Sequence, residues 1–196
     1  RHPHASARGA TGRATFWVEV GVVVAEAAIL LVFALPLWFA QTSAQPSATG
    51  ATAVRVVAEQ FVWNFHYPGA DGEFGSTSLA LISATNPLGL DRQSANGRDD
   101  VVVQNQLHVP IGRPVIIQLS SKDMIHSFGV PAMRVKQDAI PGLLTPVWFT
   151  PTLLGRFDIA CSQLCGLAHY RMRGVITVES EAAFRAFLAD EATALQ

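Results

Sequence analysis

The only two cysteines of this 196-residue chain stand four apart in CSQLCGLAHYRM, residues 161–172, with His169 and Met172 close behind. Two thiols so spaced could close a disulfide, which a domain outside the cytoplasm permits. A disulfide leaves the imidazole and the thioether without a role, whereas a metal uses all four side chains. Structural zinc takes four Cys or His ligands, which makes this a poor zinc set. A mononuclear blue-copper centre takes two His, one Cys and a weak axial Met, so one thiol would be surplus. Two thiolates bridging two copper ions, with one His on each metal and Met172 and a backbone carbonyl as weak outer ligands, account for both cysteines.

That arrangement requires a second histidine from elsewhere. His126, in SKDMIHSFGVP, is the best candidate because it follows a strand-like run at 113–121 and is expected to enter a turn. His66 and His108 are alternatives, but each lies inside a strand-like segment, where a histidine is more often an ordinary surface or packing residue.

The elements that must position these residues are short and β-rich. AVRVVAEQFVWNFHYP alternates so that Phe61, Trp63, Phe65 and Tyr67 share one face of an extended segment. Further strands are expected at 101–109, 113–121, 146–151, 155–161 and 173–178. Many short strands at this spacing predict a mainly β sandwich or barrel over residues 53–179. Residues 69–100, rich in Gly, Ser, Asn and Asp, are expected to form a long surface excursion. Residues 180–196 are expected to form a helix capped by Ser180, with Phe184, Phe187 and Leu188 on its packed face. The sequence contains no internal repeat and no phosphate-cradling glycine loop.

Ahead of this domain, after a polar linker at 41–52, lies the apolar run FWVEVGVVVAEAAILLVFALPLWFA, residues 16–40. As a helix it would reach about 37 Å, enough to cross a hydrocarbon core of roughly 30 Å. Trp17 and Trp38 sit near its two ends, and Arg1, Arg8 and Arg13 precede it. The positive-inside rule then places residues 1–15 in the cytoplasm and the β domain in a bacterial periplasm, on a single-pass anchor in the inner membrane. A cleaved signal peptide is the competing reading, but its apolar core would run only about 7–15 residues. Glu19 and Glu26, seven apart, share one face of the span, and charge there is expected to meet protein or water rather than lipid. The formal charge of -1 gives no footprint for nucleic acid.

Three stretches together resemble subunit II of the haem-copper cytochrome c oxidases. The family pattern C-S-E-(L/I)-C-G-x-x-H-x-x-M is similar to CSQLCGLAHYRM, D-(V/M)-(I/L)-H-S-(F/W)-x-V-P to DMIHSFGVP, and K-x-D-A-(I/V)-P-G to KQDAIPG at 136–142. The resemblance runs in the family's order from the span to residue 178 and includes EQFVWNFHYPG. It implies a cupredoxin-like Greek-key domain behind one transmembrane helix, holding the binuclear CuA centre. Such a centre takes electrons from cytochrome c, or from a haem c subunit, and passes them to haem in subunit I. There oxygen is reduced to water with proton pumping. The copper ligands it implies are His126, Cys161, Cys165, His169, Met172 and the backbone carbonyl of Gln163.

The sequence departs from the family in three places. Gln163 stands where a glutamate usually helps bind magnesium at the boundary with subunit I; the carbonyl survives, while the magnesium contact becomes neutral at best. Phe61 stands where the family has the tryptophan through which electrons arrive, with Trp63 two residues on as the other candidate. The family has a hairpin of two spanning helices, of which this sequence shows one; counting back from Pro36 aligns Glu19 with the carboxylate at the mouth of a proton-uptake channel. Other readings are a CuA subunit of a related nitric oxide reductase and, of a different class, a copper-free structural subunit of quinol-oxidase type. The complete ligand set argues against the latter. No C-x-x-C-H haem attachment motif follows residue 172, so the donor is expected to be a separate protein or subunit. Residues 46–196 carry 11 Lys and Arg against 13 Asp and Glu, too even for strong steering by net charge.

Overall fold

The computed structural model describes residues 12–43 and 46–194, which fall into two separate units divided after residue 45. Arg1 and Arg8 lie outside the described residues.

The first unit is one apolar helix, Arg13–Thr42, with a mean hydropathy of 2.5 over its most apolar stretch and no buried side chain there. It extends the expected span by a few residues at each end. It is α-helical over α1 (Arg13–Ile29) and α2 (Leu35–Thr42), with a π-helical turn at Leu30–Ala34 between them. Pro36 explains the interruption: it has no N–H to donate, and its ring crowds the carbonyl four residues earlier, so the preceding turn widens. Glu19 and Glu26 are both exposed on α1.

The second unit is a sandwich of two five-stranded sheets. One has the order β3 (Val101–Gln104), β2 (Val62–Tyr67), β1 (Thr52–Glu59), β5 (Val115–Ser121), β8 (Thr145–Phe149). The other has the order β4 (Gln106–Pro110), β10 (Arg173–Glu179), β9 (Gly155–Cys161), β6 (His126–Val130), β7 (Val135–Ala139). Alternation dictates the burial: along β1 and β5 every second residue points inward, so Val54, Val56, Ile117 and Leu119 are fully buried. Each such side chain removed from water contributes about 1.5–3 kcal/mol. Trp63, Phe65, Phe128, Ile159 and Ile176 complete the core between the sheets.

Several expected strands are redrawn. The aromatic segment is a hairpin rather than one strand: Glu59 pairs with Val62, leaving Gln60 and Phe61 as a tight turn, so Phe61 leaves the face that Trp63, Phe65 and Tyr67 occupy. The run 101–109 breaks at Asn105, whose φ of 59° lies in the left-handed region that Asn tolerates. Asn105 donates its N–H to the Trp63 carbonyl, accepts the Trp63 N–H on Oδ1, and accepts the Val175 N–H on its own carbonyl. This one residue carries the chain from the first sheet to the second. β6 and β7 were not expected as strands. His126 opens β6 instead of entering a turn, and all five β6 residues are buried, so that strand carries no alternation to read. The helix α3 (Glu181–Ala194) begins as expected, with Ser180 Oγ accepting the Ala183 N–H; Phe184 is buried, and the Phe187 ring stacks on His108.

Candidate metal centre

The ends of β5, β6 and β9 converge at one pole of the sandwich. β9 ends at Cys161, which pairs with Phe128 of β6, so the first thiol and His126 arrive from neighbouring strands. Cys165 and His169 follow on the loop from β9, and Met172 comes immediately before β10. Gly129 lets β6 and β9 approach: a Cβ there would lie 2.6 Å from the Ser162 hydroxyl.

The donors meet in a definite pattern. The two Sγ atoms are 3.7 Å apart and both cysteines are free, well beyond the roughly 2.05 Å of a disulfide. A metal about 2.3 Å from each sulfur would see them at a nearly tetrahedral angle. His126 Nδ1 lies 3.9 Å from Cys161 Sγ and 3.1 Å from Met172 Sδ. His169 Nδ1 lies 3.5 Å from Cys165 Sγ, and the Gln163 carbonyl oxygen is 3.2 Å from Cys161 Sγ. Met172 Sδ is 3.8 Å from Cys165 Sγ. His126, Cys161 and Cys165 form the group of candidate ligand atoms that lie within 4.8 Å of one another, and all three side chains are buried.

Electrostatics orient this set. Asp123 Oδ1 lies 2.8 Å from His126 Nε2, and because a carboxylate only accepts, that nitrogen carries the proton and Nδ1 presents its lone pair to the sulfurs. Burial alone would raise the Asp123 carboxyl, but hydrogen bonds from His126 and from the Gln60 and Met124 backbone hold it below the usual range. Met172 Sδ is also a lone-pair donor. Two such donors face each other at 3.1 Å, an arrangement that a cation would stabilise. Burial, followed by the hydrogen bond and charge of Cys161, pushes the Cys165 thiol up to about 12, so loading a metal must displace protons. The site fits a soft cation with sulfur-rich ligation and one imidazole per thiol.

The other candidates lie elsewhere or in other roles. Trp63 is fully buried beneath the site, edge-on to His126 at 6.3 Å and to Phe128 at 5.5 Å. Phe61 is half-buried at the turn, packed against the backbone of Gly166. His66 pairs with Asp100, and His108 with Glu179. The sequence reading missed Asp123 and Gln60; the (i, i+3) spacing of Asp123 to His126 was the available signal for the first, and nothing local signalled the second.

The family model described as cytochrome C oxidase subunit II, periplasmic domain, matches residues 52–180. The alternative cytochrome c oxidase subunit 2 of Bradyrhizobium diazoefficiens is 42% identical over 179 residues, covering 91% of this chain and 63% of that protein. The cytochrome c oxidase subunit 2 of Cereibacter sphaeroides is 33% identical over 184 residues, covering 88% of this chain and 58% of that protein. The chain thus spans about three fifths of the length of these relatives. The crystal structure of the periplasmic domain of subunit II (CoxB) of Bradyrhizobium japonicum superposes with a TM-score of 0.57 at 27% identity, covering 77% of this chain and 99% of that one. A mixed disulfide between a thioredoxin-like protein and a subunit II domain superposes at 0.51 with 28% identity, covering 74% of this chain and 95% of that one.

Proposed function

The chain belongs to the cytochrome c oxidase subunit II family, and from that premise we propose that it is the electron-transfer subunit of a terminal oxidase, with a binuclear CuA centre. The observation that carries this reading is the pairing of two free thiols 3.7 Å apart, each with its own imidazole Nδ1. Copper held here would supply one-electron chemistry. Cys161, Cys165, His126, His169, Met172 and the Gln163 carbonyl would hold the copper. His126 is oriented by Asp123, and the buried pole excludes water from the sulfurs.

Electrons come from a cytochrome c or a haem c subunit and go to haem in subunit I. Phe61 is the better candidate for their arrival, because its ring lies partly open to solvent and against Gly166, next to Cys165. Trp63 is closed to any docked donor and serves as the floor under His126. Gln163 offers a carbonyl to copper but no charge to a magnesium ion. The apolar helix anchors the domain in the inner membrane, leaving the β domain periplasmic, and Glu19 borders a proton-uptake path in subunit I.

A relative solved as a mixed disulfide with a thioredoxin-like protein supports a further partner for this chain. Oxidation of Cys161 and Cys165 to a disulfide would remove both bridges. A thioredoxin-like dithiol would restore the two thiols and become a disulfide itself.

The test is to purify the chain with its large subunit and supply reduced cytochrome c with oxygen or with nitric oxide. Oxygen consumption abolished by H126A supports the reading. Turnover of nitric oxide alone would instead favour the nitric oxide reductase alternative.

A further inference from the structure

The turn between β1 and β2 reaches across to the metal-binding loop. Gln60 Nε2 donates to the Cys165 carbonyl at 2.6 Å and lies 3.1 Å from Met124 Sδ. The Gln60 backbone N–H donates to Asp123 Oδ2 at 2.7 Å, while Asp123 Oδ1 holds His126 Nε2. One residue outside the donor set is therefore tied to both a bridging cysteine and the carboxylate that orients a histidine. The loop is shaped to receive it. Gly166 adopts a φ of +125°, and a Cβ there would come within 2.6 Å of Gln60 Nε2 and 3.2 Å of the Phe61 ring. Glycine is required on both counts.

We propose that Gln60 is a positioning residue for the metal centre, acting through the Cys165 carbonyl to fix the bridging thiolate and to set the reduction potential. This rests on the binuclear copper reading above. The physical argument is electrostatic: the amide N–H neutralises the partial negative charge of a carbonyl oxygen that belongs to a ligating residue. Without the donor, that oxygen stabilises the more positive, oxidised centre. The potential therefore falls when the donor is lost. A carboxylate of the same length removes the donor and adds charge, so its effect is larger.

The test uses the full chain in detergent, loaded with copper, as wild type, Q60A and Q60E. Copper stoichiometry, the paramagnetic resonance signal and the midpoint potential are measured at one fixed pH. The expectation is two coppers in all three and a shift toward the oxidised form of about threefold in Q60A, or about 28 mV at about 59 mV per tenfold for one electron. Q60E shifts further in the same direction. If Q60A sheds copper, Q60E alone decides. Potentials equal to wild type in variants that hold two coppers overturn the proposal. A wild type that does not hold two coppers instead overturns the binuclear reading itself.

Discussion

Two buried histidines of this domain, His126 and His66, start from the same chemistry and end in different roles. Each is almost wholly shielded from water, and each places Nε2 against an aspartate, Asp123 or Asp100. Around His66 the polar contacts centre on Asp100. Asp100 accepts from His66, from the Gly75 N–H and from the Gly69 N–H, and the His66 ring meets Phe74 edge-on. Burial alone would raise the Asp100 carboxyl, but these hydrogen bonds hold it below its ordinary value. The cluster fastens both ends of the 69–100 excursion to β2. Around His126 the second nitrogen lies against the Met172 and Cys161 sulfurs. A buried His–Asp pair is thus a fastener or half of a metal site according to the groups gathered around it, backbone N–H donors at Asp100 and sulfurs at His126.

The contrast breaks most visibly at Cys165. C165S removes one bridge, so copper content should fall from two per chain to at most one and the mixed-valence signal should vanish, while circular dichroism keeps the β signature. D100N should do the reverse: about 3 kcal/mol of stability lost in urea unfolding, because a buried charge partner is gone, with copper binding intact. Loss of copper in D100N would mean that the two poles are coupled. Acid separates the poles by a smaller effect. Since the folded-state pKa of Asp100 is depressed, its contribution is complete above the ordinary value of 3.8 and is lost as pH falls through the folded-state pKa. D100N should therefore flatten the acid limb of a stability-against-pH curve measured on metal-free protein. The smallest effect belongs to Q163A, which keeps the backbone carbonyl and should leave copper stoichiometry unchanged by elemental analysis.

Much of the site was legible because its residue types are rare and closely spaced. CSQLCGLAHYRM contains five of the six converging donors, and a loop between adjacent antiparallel strands brings them together with few degrees of freedom. The histidine from elsewhere was legible too, but its setting was not: HSFGV is buried on both faces, so no period-2 pattern marked β6. The hairpin turn at Gln60–Phe61 contains neither Gly nor Asn, and the aromatic alternation ran straight through it. Asn105 hid a change of sheet inside a segment, 101–109, that reads as one strand. In each case tertiary contacts decided what local pattern could not. Gln60 illustrates this most fully, since its contact with Cys165 joins residues 105 positions apart.

The central claim is tested most directly by copper quantitation together with electron paramagnetic resonance on the copper-loaded chain. The account predicts two coppers per chain and a mixed-valence signal shared over both. One copper with a mononuclear signal, or a Cys161–Cys165 disulfide that persists in the presence of a reductant and copper, would contradict it.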